Sequence, residues 1–265
     1  MFPRNASREV SNVQTQTTSA GWNGIGLSNK LTKWSDKFSF DEISSVWNVP
    51  TALPPFNACA NGFAGPFVEL TWNGISGGDG ALVQGGSYSE IDCGTSPVYY
   101  GWVELSGYPV LPIMCPNGSY CPVNPGDDFY VITYGAAGTS TQNVFVEDIT
   151  QQWEGTYALP WVTGTGLTGS SAEWIVERPC CTAQGDQIPL ANYIYEFMDD
   201  CVAHNGAGTE FYPGSTSASV TNVTMVTDSL STPISFATVG TSGAQGKYSI
   251  WFADENCAFS GGCTP

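Results

Sequence analysis

The chain has 265 residues, with 24 acidic side chains against 7 basic ones and a net charge of −17. A polyanion of this kind repels nucleic-acid phosphates and anionic membrane surfaces, so neither is expected as a partner. With 31 glycines, 17 prolines and no sustained helical apolar period, long helices are excluded, while the length suffices for one large β domain.

In chain order, short alternating or apolar runs predict strands at Phe67–Trp72, Val98–Leu105, Phe129–Tyr134, Asn143–Ile149, Ser171–Glu177, Ser217–Val226 and Lys247–Phe252. Turn-rich stretches such as Ile75–Gly80 and Gly164–Gly166 separate them. The pattern predicts an all-β fold, an antiparallel β-sandwich. No internal repeat or linker is read, so a single domain over residues 1–265 is expected, with 1–20 and 254–265 as extended terminal segments. A monomer is expected.

Nine cysteines, Cys59, Cys93, Cys115, Cys121, Cys180, Cys181, Cys201, Cys257 and Cys263, point to an oxidising compartment and a secreted, extracellular protein. Cys115 with Cys121, and Cys257 with Cys263, are close enough to close small loops. Adjacent Cys180 and Cys181 are expected to reach different partners. The odd count leaves at least one thiol unpaired within the chain. Sequons at Asn5, Asn117 and Asn222 would permit glycosylation. The stretch from Met1 lacks a signal-peptide core, as a mature form without its leader would.

Several chemistries drop out. The single histidine, His204, sits in a segment that reads as a loop, with no Gly-x-Ser-x-Gly elbow nearby in the sequence, and a serine or cysteine mechanism would rest wholly on it. Zinc is disfavoured by the cysteine spacings and by having one histidine. No Asp-Ser/Thr-Gly loop or Walker motif is present, and no glycine-rich stretch opens a helix as a dinucleotide fingerprint requires. Carboxylate chemistry remains.

The segment Ser171-Ala172-Glu173-Trp174-Ile175-Val176-Glu177 places carboxylates in a run that otherwise reads as a buried strand. Alternation sends Glu173, Ile175 and Glu177 to one face, with Trp174 and Val176 on the other. A half-buried carboxylate is unfavourable unless bonded or paired, so both need a reason. The two lie about 13 Å apart along a strand, too far for a glycosidase pair by themselves.

This segment resembles the signature of the glutamic peptidases, the eqolisin family of acid-acting endopeptidases. Further matches follow in the family's order: Trp72-Asn73-Gly74-Ile75, then Leu82-Val83-Gln84-Gly85-Gly86, Tyr99 to Leu105, Gly126-Asp127-Asp128 and Val144 to Asp148. They span residues from about Trp22 to about Ala253. The resemblance implies a lectin-like sandwich of two curved sheets with the site on a concave face, polypeptide substrates, and no metal or cofactor. It implies Glu177 as general base on a water and Gln84 as its partner, stabilising the oxyanion. Trp72, Tyr100, Trp102 and Glu104 would line the substrate cleft, with Glu173 in support. A non-titrating amide suits the oxyanion role in acid, and donors near Glu177 would lower its pKa.

Three departures stand out. Ser76 and Tyr88 occupy positions where the family usually has aspartates, and Arg178 follows the motif where fungal members tend to be acidic. Arg178 should face away from Glu177 and act on stability. A glycoside hydrolase pairing Glu177 with a cross-strand carboxylate, or a carbohydrate-binding module, are the alternatives. A Gln84 amide as nearest polar neighbour of Glu177 would count against the glycosidase.

Overall fold

The computed structural model describes residues 14–28, 39–76, 81–135, 141–160, 168–181, 186–215, 217–229, 232–240 and 248–254. Its strands are β1 (Gln14–Ser19), β2 (Trp22–Ser28), β3 (Phe40–Asn48), β4 (Phe67–Ser76), β5 (Leu82–Ile91) and β6 (Val98–Leu105). There follow β7 (Leu111–Pro112), β8 (Asp128–Tyr134), β9 (Thr141–Asp148), β10 (Trp153–Pro160) and β11 (Ser171–Glu177). The last are β12 (Tyr195–Asn205), β13 (Glu210–Phe211), β14 (Ser219–Val226), β15 (Pro233–Val239) and β16 (Ile250–Asp254).

One hydrogen-bonded path runs β10-β9-β8-β3-β12-β16-β15-β14-β2-β11-β4-β5-β6-β7, with β1 parallel to β14 and β13 on β12. Strands from opposite parts of this path pack face to face, which makes two layers. The Asn73 amide on β4 donates to Ser45 Oγ on β3 (2.9 Å) and to the Val131 carbonyl on β8 (3.0 Å). Trp47 Nε1 on β3 reaches Ser87 Oγ on β5 (3.0 Å), and Trp174 Nε1 on β11 reaches the Ser44 carbonyl (3.1 Å). Between the layers lies the main core, with Ile75, Val83, Trp174 and Val176 from one side and Ile43, Trp47, Phe129 and Val131 from the other. Such inward alternation is what a sandwich requires.

β8 and β9 alternate buried and partly exposed residues, as half-buried strands do. β4 is buried along almost its whole length because a second apolar cluster covers its outer face. That cluster, of Val68, Leu70, Trp72, Leu82, Trp102 and Ile175, is the floor of the site described below.

The inner layer also holds a polar group of consequence. The single hydroxyl proton of Thr71 faces both the Glu69 carboxyl and Glu196 Oε2 (2.8 Å from Thr71 Oγ1). One hydroxyl donates one hydrogen bond, so the trio is complete only when one carboxyl is itself protonated. Burial pushes Glu69 up to about 7 and raises Glu196 well above the usual carboxylate range, with the Glu69 charge adding to the latter.

The predicted strands all appear, most with ends shifted by a few residues, but others were not anticipated. Residues 14–19, expected as part of an extended terminus, form β1. His204, read as a loop residue, lies on β12, its Nδ1 3.1 Å from the Glu42 carboxylate. Cys115–Cys121 forms as predicted, and Cys59 pairs with Cys93. Cys201 is free and buried. Asn222 lies on β14 with its amide donating to the Ala237 carbonyl (3.0 Å). The Asn5 sequon, Cys257, Cys263, the Gly164–Gly166 turn, Gly77–Gly80, and residues 1–13 and 255–265 lie outside the described residues.

Arg178 is the one basic side chain among the described residues. It is buried on the face opposite Glu177, as expected. Its guanidinium donates to the carbonyls of Ala20 (2.5 Å) and Val226 (3.2 Å) and pairs with Asp228 at 2.6 Å.

Candidate active site

β2, β11 and β4 lie side by side, and β5 and β6 continue the layer. Register builds three rows on the face carrying Glu173, Ile175 and Glu177. The first row is Glu173, Gly74, Gln84 and Glu104; the second Ile175, Trp72, Gly86 and Trp102; the third Trp22, Glu177, Leu70, Tyr88 and Tyr100. The expected alternation along β11 is therefore realised, with Trp174 and Val176 in the inter-layer core.

Glu177 is held by two indoles. Trp72 Nε1 donates to its Oε2 at 2.7 Å, and Trp22 also donates to it. The two rings meet edge to face with centroids 5.4 Å apart. Sequence reasoning gave Trp22 no role. The signal that could have found it is a repeat: Trp22-Asn23-Gly24-Ile25 on β2 matches Trp72-Asn73-Gly74-Ile75 on β4, and these strands flank β11 on either side. In both copies the asparagine turns inward, Asn23 to Ser235 Oγ (2.6 Å) and Asn73 to Ser45.

Burial pushes Glu177 up to about 7. The indole donors pull the other way and the Glu104 charge adds to the rise, but desolvation dominates. The donors lower this pKa as expected, but desolvation outweighs them, so the net shift is upward.

Gln84 turns its amide nitrogen to Glu104, 2.7 Å from Oε2, while its own Oε1 is buried without a partner. Burial raises Glu104 and the bond from Gln84 offsets part of that. Neither arrangement anticipated for Glu177 is found: its bonded neighbours are indoles, while the Gln84 amide and a second carboxylate bind each other. Gly74 sits between Glu173 and Gln84 because a Cβ there would come within 2.6 Å of the Val83 carbonyl oxygen.

Glu173 accepts from Ser171 Oγ (2.7 Å) and Ser76 Oγ (3.3 Å), so the serine that replaces an expected aspartate anchors it. Its Oε2 has no partner, and burial raises its pKa. A cavity of about 350 Å³ opens beside it, lined among others by Trp22, Ser171, Ile175 and Thr221.

Trp72 and Trp102, expected on the cleft wall, are both 0% exposed. They lie beneath the face that carries Glu177 and Gln84, whereas Tyr100 is half-buried and stacks on Tyr88 (4.3 Å). Among the described residues no three His, Cys, Asp or Glu side chains converge as metal ligands.

The sequence profile of the Peptidase A4 family matches residues 21–245. The chain belongs to that family. It is a glutamic endopeptidase, and polypeptides are its substrate class. A scytalido-glutamic peptidase bound to a peptide-based transition-state analogue shares the fold with TM-score 0.66 at 16% identity, covering 89% of this chain and 98% of that one. The eqolisin SCP-B, in complex with the tripeptide Ala-Ile-His, gives 0.63 at 16% identity over the same shares. Aspergilloglutamic peptidase from Aspergillus niger gives 0.57 at 19% identity, covering 71% of this chain and 99% of that one. No curated protein sequence matches the chain.

Proposed function

We propose that this peptidase is a secreted enzyme that works in acid by a Glu177–Gln84 dyad acting on a bound water, without a covalent intermediate. The observation that carries the reading is the buried Glu177 carboxylate, gripped by the Trp72 and Trp22 indoles on the face that also bears Gln84. Ionised Glu177 takes a proton from the water as it attacks the scissile carbonyl, then returns that proton to the leaving amine. Gln84 supplies the partner dipole. With Glu104 ionised, Gln84 presents its carbonyl, which orients water. When acid protonates Glu104, that carboxyl donates to the Gln84 carbonyl, and the amide N–H turns to the oxyanion.

Two ionisations then bound the activity, the base requiring Glu177 without its proton and the donor requiring Glu104 with one. The pH profile is a bell on the acid side of neutrality, with macroscopic limbs belonging to the pair. Disulfides at Cys59–Cys93 and Cys115–Cys121 support secretion. The test is proteolysis of an unfolded polypeptide across pH 2–8 with pepstatin and chelators present. Cleavage in acid, unaffected by either, is expected. A folded protein inert throughout that range contradicts the proposal.

A further inference from the structure

Beyond Gln84, the wall of the site carries a feature the mechanism does not use. Tyr88 and Tyr100 are register partners on β5 and β6, with rings 4.3 Å apart and nearly parallel. Tyr120 continues the stack, 4.8 Å from Tyr100, on the loop closed by the Cys115–Cys121 disulfide. Tyr120 is 47% exposed, and Met114, its bridge partner, is 49% exposed. The polar tip of Tyr88 is already engaged, its hydroxyl donating to Glu90.

Geometry ties this ladder to the scissile bond. Glu177, Leu70, Tyr88 and Tyr100 occupy one row across successive strands. At about 4.8 Å per strand, Tyr88 lies roughly 10 Å and Tyr100 roughly 14 Å from Glu177. An extended peptide crossing the strands covers that distance in about three or four residues. Leu70, between them, is buried in the apolar cluster against which Tyr88 and Tyr100 pack.

We propose that the Tyr88–Tyr100–Tyr120 ladder is a specificity subsite that takes a large aromatic or apolar substrate side chain roughly three or four residues from the scissile bond. The proposal rests on the peptidase reading and names the side-chain class it selects. Ring faces attract other rings and thioethers, whereas a substrate carboxylate would meet the charge of Glu90.

The test is a cleavage map on a peptide library, with Tyr120→Ala and Tyr120→Phe beside the parent enzyme. Tyr120 is on an exposed loop, so both variants leave the core untouched. The parent should be enriched for Phe, Tyr, Trp, Leu and Met at the distal position on one side of the cut. Tyr120→Ala should reduce kcat/KM for those peptides between about 2- and 10-fold, with peptides bearing Ala there unchanged, while Tyr120→Phe retains the preference. Cleavage without distal enrichment, or enrichment unmoved in Tyr120→Ala, overturns the subsite and leaves the peptidase reading standing. Binding of a soluble oligosaccharide that is lost in Tyr120→Ala, without distal enrichment, overturns it in favour of a sugar platform. No cleavage by any folded form overturns both.

Discussion

Glu177 draws indole donors from both neighbouring strands, and each donor stabilises its ionised form. Trp22→Phe should therefore push the Glu177 ionisation further up, moving the acid limb of kcat/KM to higher pH and slowing cleavage at a fixed low pH by about tenfold per unit moved. Glu104→Gln should instead extend activity on the alkaline side, because position 104 then stays neutral and its charge can no longer raise Glu177. Limbs that stay in place in both variants would dissociate the pH profile from the Glu177–Glu104 pair. Glu177→Gln should lower kcat by at least about a hundredfold, and Gln84→Ala by on the order of 10²–10³. The two losses should be non-additive, since both act on one tetrahedral intermediate. An active Glu177→Gln enzyme, or additive losses, would remove the dyad. At this scale the sequence was informative about residue types and poor about partners. Glu173, Gln84, Glu104 and Glu177 all lie on one face, yet which atom bonds which depends on cross-strand register, and register is a long-range property that no local spacing encodes. The burial of Trp72 and Trp102 was illegible for the same reason.

At the level of strands, legibility followed the regularity of alternation. β6 and β11 were read with their correct bounds because their patterns are unbroken. β3 escaped notice because its inward Ser45 is polar, its hydroxyl being matched by Asn73 from the opposite layer. β12 escaped because a bulge between Asp199 and Val202, with Asp200 at φ 48°, shifts its inward residues from Glu196 and Met198 to Cys201 and Ala203. Arg178 shows what the residue after an element can carry: it ties the chain just past β11 to the chain after β1 and to the end of β14. Arg178→Met leaves two carbonyls and Asp228 without their donor, and should destabilise the fold by about 3 kcal/mol while leaving kcat unchanged. Urea denaturation beside a kinetic assay would check this; a fall in kcat with unchanged stability would reverse the assignment.

For the molecule as a whole, the raised carboxylates set a direction for stability against pH. Glu69 rises from 4.5 to about 7, so folding favours its protonated form. The associated stability is fully present below about pH 4.5 and is lost as pH climbs through 7, on the order of 3 kcal/mol for this group. Glu196, which shares the Thr71 hydroxyl, acts in the same sense. Denaturation midpoints should be higher at pH 4 than at pH 7.5, and Glu69→Gln should flatten the difference. Equal or greater stability at pH 7.5 would show that the trio does not govern the balance. The solitary, buried Arg178 has a consequence of another kind. Digestive enzymes that cut after lysine or arginine find no such residue on the surface of the described strands, and the bond that follows Arg178 leads into Pro179. Amine-reactive reagents likewise find no lysine there to modify. To any hydrolase that searches for lysine or arginine, the described residues of the sandwich are chemically blank.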